Sequence, residues 1–367
     1  MTPALRIGVD GRAFASPAGG VRRYVTELYG TMRVVDPDVE VVAVGAPAEA
    51  VLPEGVNGRG AIAFPTNLGW MAASLPLACL GAGLDVFHAP AYQAPFWGVH
   101  PLVLTIHDVS YARHPEWHPY KNDPLRRTFY RRSALAADRI ITDSTFSRSE
   151  IVAAYGIPQD RIDVVPLAPA AVFTPGSFDA SVAPVGIRPP YALHVGDLHA
   201  RRNLSVALAA VLAVRQLGET LTFVCVGVDR GVGDGLRDEA VRATDTDALV
   251  LTGPLGDEEL VNLYRGASIL LYPSHYEGFG LPVLEAMQCG VPVIAARAAS
   301  IPELAGDAAV LLDPLDVDAW SQAILEVFAD SVRRADLAQA GIARAARFSW
   351  RRTAAETLAI FRKSAGR

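Results

Sequence analysis

Short β-branched runs alternate with longer helix-like segments along the whole chain of 367 residues. This alternation is typical of parallel sheets that are covered by helices. Six strands are predicted in the first half, at 5–9, 39–44, 85–88, 102–106, 139–142 and 162–165. Six more are predicted in the second half, at 191–195, 221–226, 249–251, 269–272, 292–295 and 309–312. The sequence therefore predicts an α/β protein with two doubly wound domains.

A stretch rich in Pro, Gly, Ser and Ala separates the two sets of strands. It covers residues 173–190 and has the composition of a linker. We therefore predict an N-terminal domain at 1–172 and a C-terminal domain at 191–348, facing each other across a cleft, because doubly wound sheets bind ligands at the carboxyl ends of their strands. A last helix within 349–367, capped by Ser349, is expected to complete the N-terminal domain.

The composition excludes several classes of protein. Hydrophobic residues make up 51% of the chain, charged residues make up 20%, and the net charge is −6, which argues against a disordered chain and against a nucleic-acid binder. Three well-separated cysteines without a CxxC pair fit a reducing cytoplasm and do not predict a zinc site. Neither a secretory signal nor a membrane-spanning run is recognised, so a soluble, cytoplasmic protein is expected.

A glycine-containing turn follows the predicted strand 269–272 and leads into a helix. The turn consists of Glu277, Gly278, Phe279, Gly280 and Leu281. Glycines let a backbone approach a ligand closely, and free amides at a helix start favour phosphate. Glu277, and Glu285 in the first turn of the helix, would then face hydroxyl groups of the same ligand. The alternative is a solvated Glu277 and a Glu285 that only balances the helix dipole.

A second strand-to-helix turn, at 196–204, carries two adjacent arginines. Gly196 follows the strand, and Arg201 and Arg202 offer fixed cations with bidentate phosphate geometry. A leaving diphosphate needs its negative charge stabilised by a metal or by such cations together with a helix N-terminus. An isolated arginine pair is often solvated, but beside the glycine turn we interpret it as one wall of a diphosphate cradle.

Two features of the first half are candidates for the transfer step. His107 and Asp108 end an apolar strand, where functional residues gather in this architecture. Gly19 and Gly20 allow a tight turn before a helix, and its amides could face a ligand. The alternatives are a hydrogen-bonded core histidine, an Asp108 that caps the next turn, and a simple flexible glycine turn.

Arginine pairs recur at near-helical spacing between Lys121 and Arg132. They are Arg126, Arg127, Arg131 and Arg132. Such a stripe suits an anionic lipid surface, as in a peripheral protein of the inner membrane face, or a phosphorylated acceptor. A solvated helix face is the alternative. The apolar stretch 70–84 is interpreted as a core-facing helix, with an acceptor wall or a dimer contact as alternatives.

The pattern as a whole resembles the GT4-type retaining glycosyltransferases of GT-B fold. Glu277 and Glu285, with seven residues between them, match the Glu-x7-Glu motif of that family. Further matching segments lie at 105–108, 196–204, 289–294, 302–307 and 348–350. The resemblance implies a metal-independent transfer of a hexose from a nucleoside-diphosphate sugar to an acceptor that the sequence does not identify.

The resemblance also implies roles for residues of the second half. Arg202, at a position usually held by lysine, would contact the donor diphosphate beside Arg201. The amides from Gly278 to Leu281 would meet the phosphates, Glu277 would contact the hexose, and Glu285 the ribose. Many relatives carry an arginine where this chain has Asp197, so less positive charge is expected at the diphosphate.

In the first half, the resemblance places His107 at the reaction centre and the loop of Gly19 and Gly20 near the donor phosphates. GDP-mannose is the favoured donor, because 106–108 with Pro115 and Glu116 resembles mannosyltransferase-type members; a UDP-sugar is the alternative. No cofactor and no metal are expected. Two alternative functions are a nucleotide-sugar epimerase, whose members lack the Glu-x7-Glu motif, and a non-catalytic nucleotide-sugar binding module.

Overall fold

A computed structural model describes residues 4–64, 66–118 and 123–366 of the chain. The chain divides into two compact units, the first formed by Met1–Leu167 with Ser349–Arg367 and the second by Ala168–Phe348. The stretch 173–190 is therefore counted with the second unit. There the Asp179 amide donates to Asn262 Oδ1 at 2.7 Å, and Asn262 Nδ2 donates to the Asp179 carbonyl at 2.8 Å.

The first unit is built on a parallel sheet. Its strands in the described residues are β1 (Arg6–Asp10), β2 (Glu40–Val44), β3 (Val56–Arg59), β4 (Val86–Ala89), β5 (Leu102–Thr105), β6 (Arg139–Thr142) and β7 (Ile162–Val164). Their order is β3-β2-β1-β4-β5-β6-β7. The six predicted strands are confirmed. The strand β3 was missed because only Val56 in it is buried, so it carries little apolar pattern.

Helices connect these strands. They are α1 (Gly19–Val35), α2 (Asn67–Gly69), α3 (Leu75–Cys79), α4 (Ser110–Arg113), α5 (Pro124–Ala136) and α6 (Thr145–Tyr155), with a π-helical turn at Trp70–Ser74 and 3-10 turns at Gly11–Ala15, Pro115–Trp117 and Gln159–Arg161. The prediction of a core-facing helix within 70–84 is confirmed, since Trp70, Met71 and Leu75 are buried.

The second unit repeats the arrangement. Its strands are β8 (Tyr191–Val195), β9 (Thr222–Val226), β10 (Leu249–Gly253), β11 (Ile269–Tyr272), β12 (Val293–Ala296) and β13 (Val310–Leu312), in the order β10-β9-β8-β11-β12-β13. All six were predicted. Its helices are α7 (Leu204–Gln216), α8 (Gly233–Arg242), α9 (Asp257–Gly266), α10 (Leu281–Gln288), α11 (Ile301–Ala305), α12 (Val317–Ala329) and α13 (Ser331–Ala345), with 3-10 turns at Ala200–Arg202 and Thr246–Ala248.

Both sheets are doubly wound. In each of them the chain first builds strands on one side of the opening strand and then crosses to the other side, so the direction of winding reverses between β1 and β4 and between β8 and β11. At such a switch point the loops at the carboxyl ends of the strands diverge and leave a crevice for a ligand. The prediction of two Rossmann-like domains is confirmed, and each unit has a switch point of its own.

The last helix, α14 (Trp350–Ser364), packs in the first unit. Ser349 caps it, because its hydroxyl accepts from the Arg352 amide at 3.2 Å. Thr353 Oγ1 donates to the Pro166 carbonyl at 2.7 Å, and Arg362 pairs with Asp36. Every helix in the described ranges is too short or too polar to cross a lipid bilayer.

Candidate active-site residues

In the second unit, the two turns that were predicted to hold the donor meet at the switch point between β8 and β11. Arg202 ends the turn Ala200–Arg202 after β8, and Glu277 lies in the turn after β11. Arg202 Nη1 donates to Glu277 Oε1, and the two side chains are only 10% and 6% exposed. The structure thus brings Arg202 and Glu277 together as a buried ion pair, and the alternative of a solvated Glu277 is excluded.

Arg202 has further partners on β11 and in the turn after it. Its Nη1 also donates to the Tyr272 hydroxyl and lies 3.5 Å from Ser274 Oγ, and its guanidinium carbon lies 5.3 Å from the centroid of the Tyr272 ring. Burial lowers the pKa of Arg202, but a guanidinium stays charged at neutral pH. Its Nε is buried and lacks a hydrogen-bond partner in the described part of the chain.

Gly196 makes room for this arginine. Its φ is 132°, and an added Cβ would lie 3.1 Å from Arg202 Nη2. Gly227, which follows β9, was missed by the sequence analysis. Its φ is 145°, and a Cβ there would lie 2.2 Å from the Gly196 carbonyl oxygen. Gly196 is therefore required for the close approach of the arginine to the backbone, and Gly227 for the close approach of the two neighbouring strand ends.

The turn from Glu277 to Leu281 is held by a residue without any sequence signal. Ser300 is fully buried, and its hydroxyl lies 2.9 Å from the Glu277 carbonyl and 2.8 Å from the Phe279 carbonyl. Gly280 has a φ of 108°, and a Cβ there would lie 2.7 Å from Ile301 Cδ1. The turn is consequently fixed in one conformation, with Gly278 and Phe279 also buried.

Glu285 lies one turn further into its helix than the sequence analysis placed it. Because α10 begins at Leu281, Glu285 is in the second turn, and the prediction of a first-turn position is wrong. Glu285 is buried, and its Oε2 accepts from the Tyr264 hydroxyl at 2.9 Å. Burial, and then the charge of Glu285, raise the pKa of Tyr264, which stays a hydrogen-bond donor. Tyr264 was missed because it lies on α9, outside both motifs.

The other charged residues of the turn after β8 are also engaged. Arg201 Nη1 lies 3.5 Å from the Tyr276 carbonyl, and the Arg201 carbonyl accepts from the His275 amide at 2.9 Å, which ties the two turns together. Asp197 pairs with Arg230 at 2.9 Å, both half-exposed. The negative charge of Asp197 is therefore balanced locally.

In the first unit, His107 pairs with an acid that the sequence analysis missed. His107 follows β5 and Asp143 follows the neighbouring β6, and His107 Nδ1 lies 2.8 Å from Asp143 Oδ2. The side chains are 18% and 3% exposed. Burial acts to lower the pKa of His107, but the charge and the hydrogen bond of Asp143 and the charge of Asp108 together raise it. The rule that singled out His107, a polar residue at a strand end, applies equally to Asp143.

A chain of buried polar groups lies beside His107. The Tyr24 ring meets the imidazole edge-on, with the centroids 4.8 Å apart, and the Tyr24 hydroxyl lies 3.1 Å from Thr105 Oγ1. Thr105 Oγ1 lies 2.7 Å from His88 Nε2, and His88 Nδ1 lies 2.7 Å from the Tyr29 hydroxyl. Burial lowers the pKa of His88 to about 3, so this histidine is neutral in the folded chain.

The remaining candidates of the first unit have local roles. Asp108 Oδ1 accepts from the amide and the hydroxyl of Ser110 at 3.1 and 3.0 Å, so it fixes the start of α4. Gly19 and Gly20 are the first two residues of α1 and not a separate turn, which corrects the prediction. An added Cβ at either glycine would meet nothing within 4 Å, so packing does not require glycine there.

The predicted arginine stripe lies on α5, apart from Lys121, which is outside the described residues. Arg126, Arg131 and Arg132 are exposed and Arg127 is half-buried. The guanidinium of Arg132 lies 4.7 Å from the centroid of the Phe96 ring. The stripe is therefore a charged surface of the first unit.

Comparison with known proteins agrees with this geometry. The family "Glycosyl transferases group 1" matches residues 181–344, and "Glycosyltransferase Family 4" matches residues 18–168. The O-antigen chain mannosyltransferase B of Escherichia coli is 35% identical over 283 residues, which cover 76% of this chain and 74% of that protein. The chain belongs to the family 4 glycosyltransferases. The resemblance that was drawn from the two motifs is thereby confirmed.

Two further comparisons extend over nearly the whole glycosyltransferase. The D-inositol 3-phosphate glycosyltransferase of Mycolicibacterium smegmatis is 30% identical over 390 residues, which cover 95% of this chain and 87% of that protein. The structure of sucrose-phosphate synthase from Thermosynechococcus elongatus covers 98% of both chains with a TM-score of 0.76 and 20% identity. The latter likeness shows the GT-B fold.

Proposed function

We propose that this glycosyltransferase moves a hexose from a nucleoside-diphosphate sugar to a hydroxyl acceptor, with retention of configuration and without a metal ion. The observation that carries the proposal is the buried pair of Arg202 and Glu277 at the β8/β11 switch point. The guanidinium is a fixed cation for a diphosphate, and the carboxylate is an acceptor for sugar hydroxyls. Retention is supported by the family resemblance.

In the proposed reaction, the bond between the anomeric carbon and the phosphate oxygen breaks, and its electron pair leaves with the nucleoside diphosphate. The acceptor oxygen bonds to the same face of that carbon, and its proton passes to the leaving phosphate oxygen. Arg201, Arg202 and the amides at the start of α10 take up the negative charge that develops. Glu285, held by Tyr264, is assigned to the ribose hydroxyls.

His107, in the first unit, is assigned to the reaction centre on the strength of the family resemblance. Asp108 was predicted as a catalytic residue, but its bonds to Ser110 support a different role, the shaping of the turn that follows His107. The mannosyltransferase of Escherichia coli supports mannose as the transferred hexose and GDP-mannose as the first donor to test. A UDP-sugar is the second.

A nucleotide panel tests the donor. Thermal unfolding is measured with GDP, UDP, ADP and their sugars in excess EDTA, because a ligand at a hundred times its Kd stabilises the folded chain by about 2.7 kcal/mol. We expect one nucleotide diphosphate to raise Tm in EDTA. The Arg202→Lys variant, which keeps the charge but loses the planar fork, should bind more weakly. A strict requirement for a divalent cation would contradict the proposed charge stabilisation.

Transfer itself is tested with the donor that binds. The anomeric configuration of the product is determined by proton NMR, and an inverted product contradicts the proposed mechanism. Incubation of the sugar nucleotide alone separates the transferase from an epimerase, because an epimerase alters the free sugar nucleotide without an acceptor. Binding without turnover on any hydroxyl acceptor would favour the binding module.

We also propose that α5 contacts an anionic lipid surface at the inner face of the cell membrane. Its exposed face carries Arg131 and Arg132 between Leu125, 72% exposed, and Leu135, 41% exposed. Arginines that attract anionic headgroups, mixed with leucines, are typical of an interfacial helix. An acceptor anchored in the membrane would then be within reach.

Co-sedimentation with vesicles tests this contact. Partitioning to vesicles of phosphatidylcholine, with and without phosphatidylglycerol, is compared for the unchanged chain, for Arg131→Ser with Arg132→Ser, and for a control. The control changes two exposed arginines of α14, Arg351→Ser with Arg352→Ser. Each arginine contributes about 1 kcal/mol near an anionic surface, so the first variant should lose roughly 30-fold in partitioning. Equal loss in both variants would contradict a contact through α5.

A further inference from the structure

We propose that Asp143 is a positioning residue for His107. It holds the imidazole so that Nδ1 keeps its proton toward the carboxylate. Nε2 is then the nitrogen that contacts the substrates in the transfer reaction. The inference rests on the proposed function, since that function places His107 at the reaction centre. Neither the family motifs nor the strand-end analysis assigned a role to Asp143.

The two residues are held in place from both sides. His107 and Asp143 lie at the carboxyl ends of the paired strands β5 and β6, and Nδ1 lies 2.8 Å from Oδ2. Thr142 Oγ1 donates to the Ile106 carbonyl at 2.7 Å, just before the histidine. Ser147 Oγ, on α6, donates to the His107 carbonyl at 3.0 Å. The backbone on either side of His107 is therefore fixed, and the contacts of the ring with Asp143 and Tyr24 limit its rotation.

Within the described residues, the side chain of Asp143 neither caps a helix nor bonds to a group other than His107. Its Oδ1 is buried without a hydrogen-bond partner among them, and the His107 imidazole is the only donor to its carboxylate there. The cap of α6 is not Asp143 but Ser144, whose hydroxyl accepts from the Ser147 amide. Burial raises the pKa of Asp143, and the charge and the hydrogen bond of His107 oppose that rise, because a buried carboxylate is unfavourable without a partner that shares its charge or its hydrogen bonds. The carboxylate thus acts on His107.

The acid fixes which nitrogen carries the proton. A carboxylate accepts hydrogen bonds only, so Nδ1 must be its donor in both the neutral and the charged imidazole. Nε2 is buried, and the Pro90 carbonyl is the backbone acceptor that faces the ring and helps to raise its pKa. In the neutral ring Nε2 is therefore an acceptor, and in the imidazolium it is a donor.

The surroundings also set the pH at which this change occurs. The groups that face the imidazole are Asp143, Asp108, Tyr24, His88 and the Pro90 carbonyl. Tyr24 and His88 are neutral near pH 7, since burial raises the pKa of Tyr24 and lowers that of His88. Burial acts to lower the pKa of His107, and the two carboxylates raise it above its usual range, so Nε2 keeps its proton to higher pH than in a free imidazole.

Nitrogen NMR of the intact chain, labelled at histidine, tests the inference without any substrate. The signals of His107 are assigned with His107→Gln, and its tautomer and titration midpoint are compared in the wild type and in Asp143→Asn. The amide is nearly isosteric with the carboxylate but has no charge. We expect that the neutral form of the wild-type ring, above its titration midpoint, carries its proton on Nδ1. The titration midpoint of His107 should move to lower pH in Asp143→Asn.

Asp138→Asn is the matched control. Asp138 also accepts from a histidine, with His100 Nδ1 3.1 Å from its Oδ2, but that pair is exposed and precedes β6. The control should leave the His107 midpoint in place, and thermal unfolding should show both variants folded. A His107 midpoint that is the same in Asp143→Asn and in the wild type overturns the inference, as does a wild-type ring protonated at Nε2.

Kinetics then separate this inference from the proposed function. With the donor found above, Asp143→Asn should lower kcat about 10- to 100-fold, change the donor KM less than about twofold, and shift the pH–rate profile in the direction seen by NMR. A shifted titration with unchanged kcat overturns the positioning role and leaves the transferase intact. Loss of donor binding to the same extent as kcat also overturns it, because a positioning residue for His107 should not touch the donor site.

Discussion

Removing either charge of the Arg202–Glu277 pair should destabilise the second unit strongly. The substitutions are Arg202→Gln, Glu277→Gln and the two together, which form a double-mutant cycle. Each single change leaves one charge in a site where the side chains are only 10% and 6% exposed. The double change removes both charges and leaves two amides that can still bond to each other.

The magnitude follows from this burial. Removal of one partner of a buried ion pair costs about 3–5 kcal/mol, because the remaining charge is desolvated without compensation. The double variant should be less destabilised than the sum of the singles by at least about 2 kcal/mol. In a unit of this size, 1 kcal/mol corresponds to a change in Tm of about 2–4 °C, so each single variant should melt roughly 6–20 °C lower.

Calorimetry measures the effect, with the transition of the second unit identified by its response to the nucleotide that binds. The control cycle uses Arg230→Gln and Asp197→Gln. The Arg230 and Asp197 side chains are 2.9 Å apart in the same unit, but they are 44% and 47% exposed. Its coupling should stay below about 1 kcal/mol, because water screens the pair. Additive losses at Arg202 and Glu277, or equal couplings in the two cycles, would refute the reasoning.

Three other outcomes are expected. Tyr264→Phe removes the hydroxyl that holds Glu285, and calorimetric titration should show nucleotide affinity about fivefold weaker, near 1 kcal/mol; unchanged affinity would argue against the ribose assignment. Gly280→Ala places a Cβ 2.7 Å from Ile301 Cδ1 at a φ of 108°, so urea unfolding should show a loss of about 1–3 kcal/mol, and a neutral change would contradict the rigid turn. His88 has a pKa of about 3 in the folded chain, so between about pH 3 and pH 6.5 it takes up its proton only on unfolding. The free energy of unfolding should therefore fall below about pH 6.5 by up to about 1.4 kcal/mol per pH unit. In His88→Gln the slope of the unfolding free energy against pH should be smaller by that amount.

The strand pattern and the two strand-to-helix motifs could be derived from the sequence because their signals are local. Apolar, β-branched runs such as β12 are buried on both faces of a parallel sheet, so they stand out against the helices between them. The motif of Glu277 and the arginine turn with Arg202 are each contiguous in the chain. The same locality explains the failure at β3, an edge strand with little apolar content.

The partners of these residues were decided only by the tertiary structure. Asp143 meets His107 because β5 and β6 pair in one particular register, and Tyr264 meets Glu285 because its long side chain reaches from α9 to α10. Ser300 holds the glycine turn from a third segment. A single polar residue has no periodicity of its own, so its position in the chain does not reveal its partner. The sequence alone determined which turns carry the charged groups, while the pairing of strands and the packing of helices determined how each charge is held.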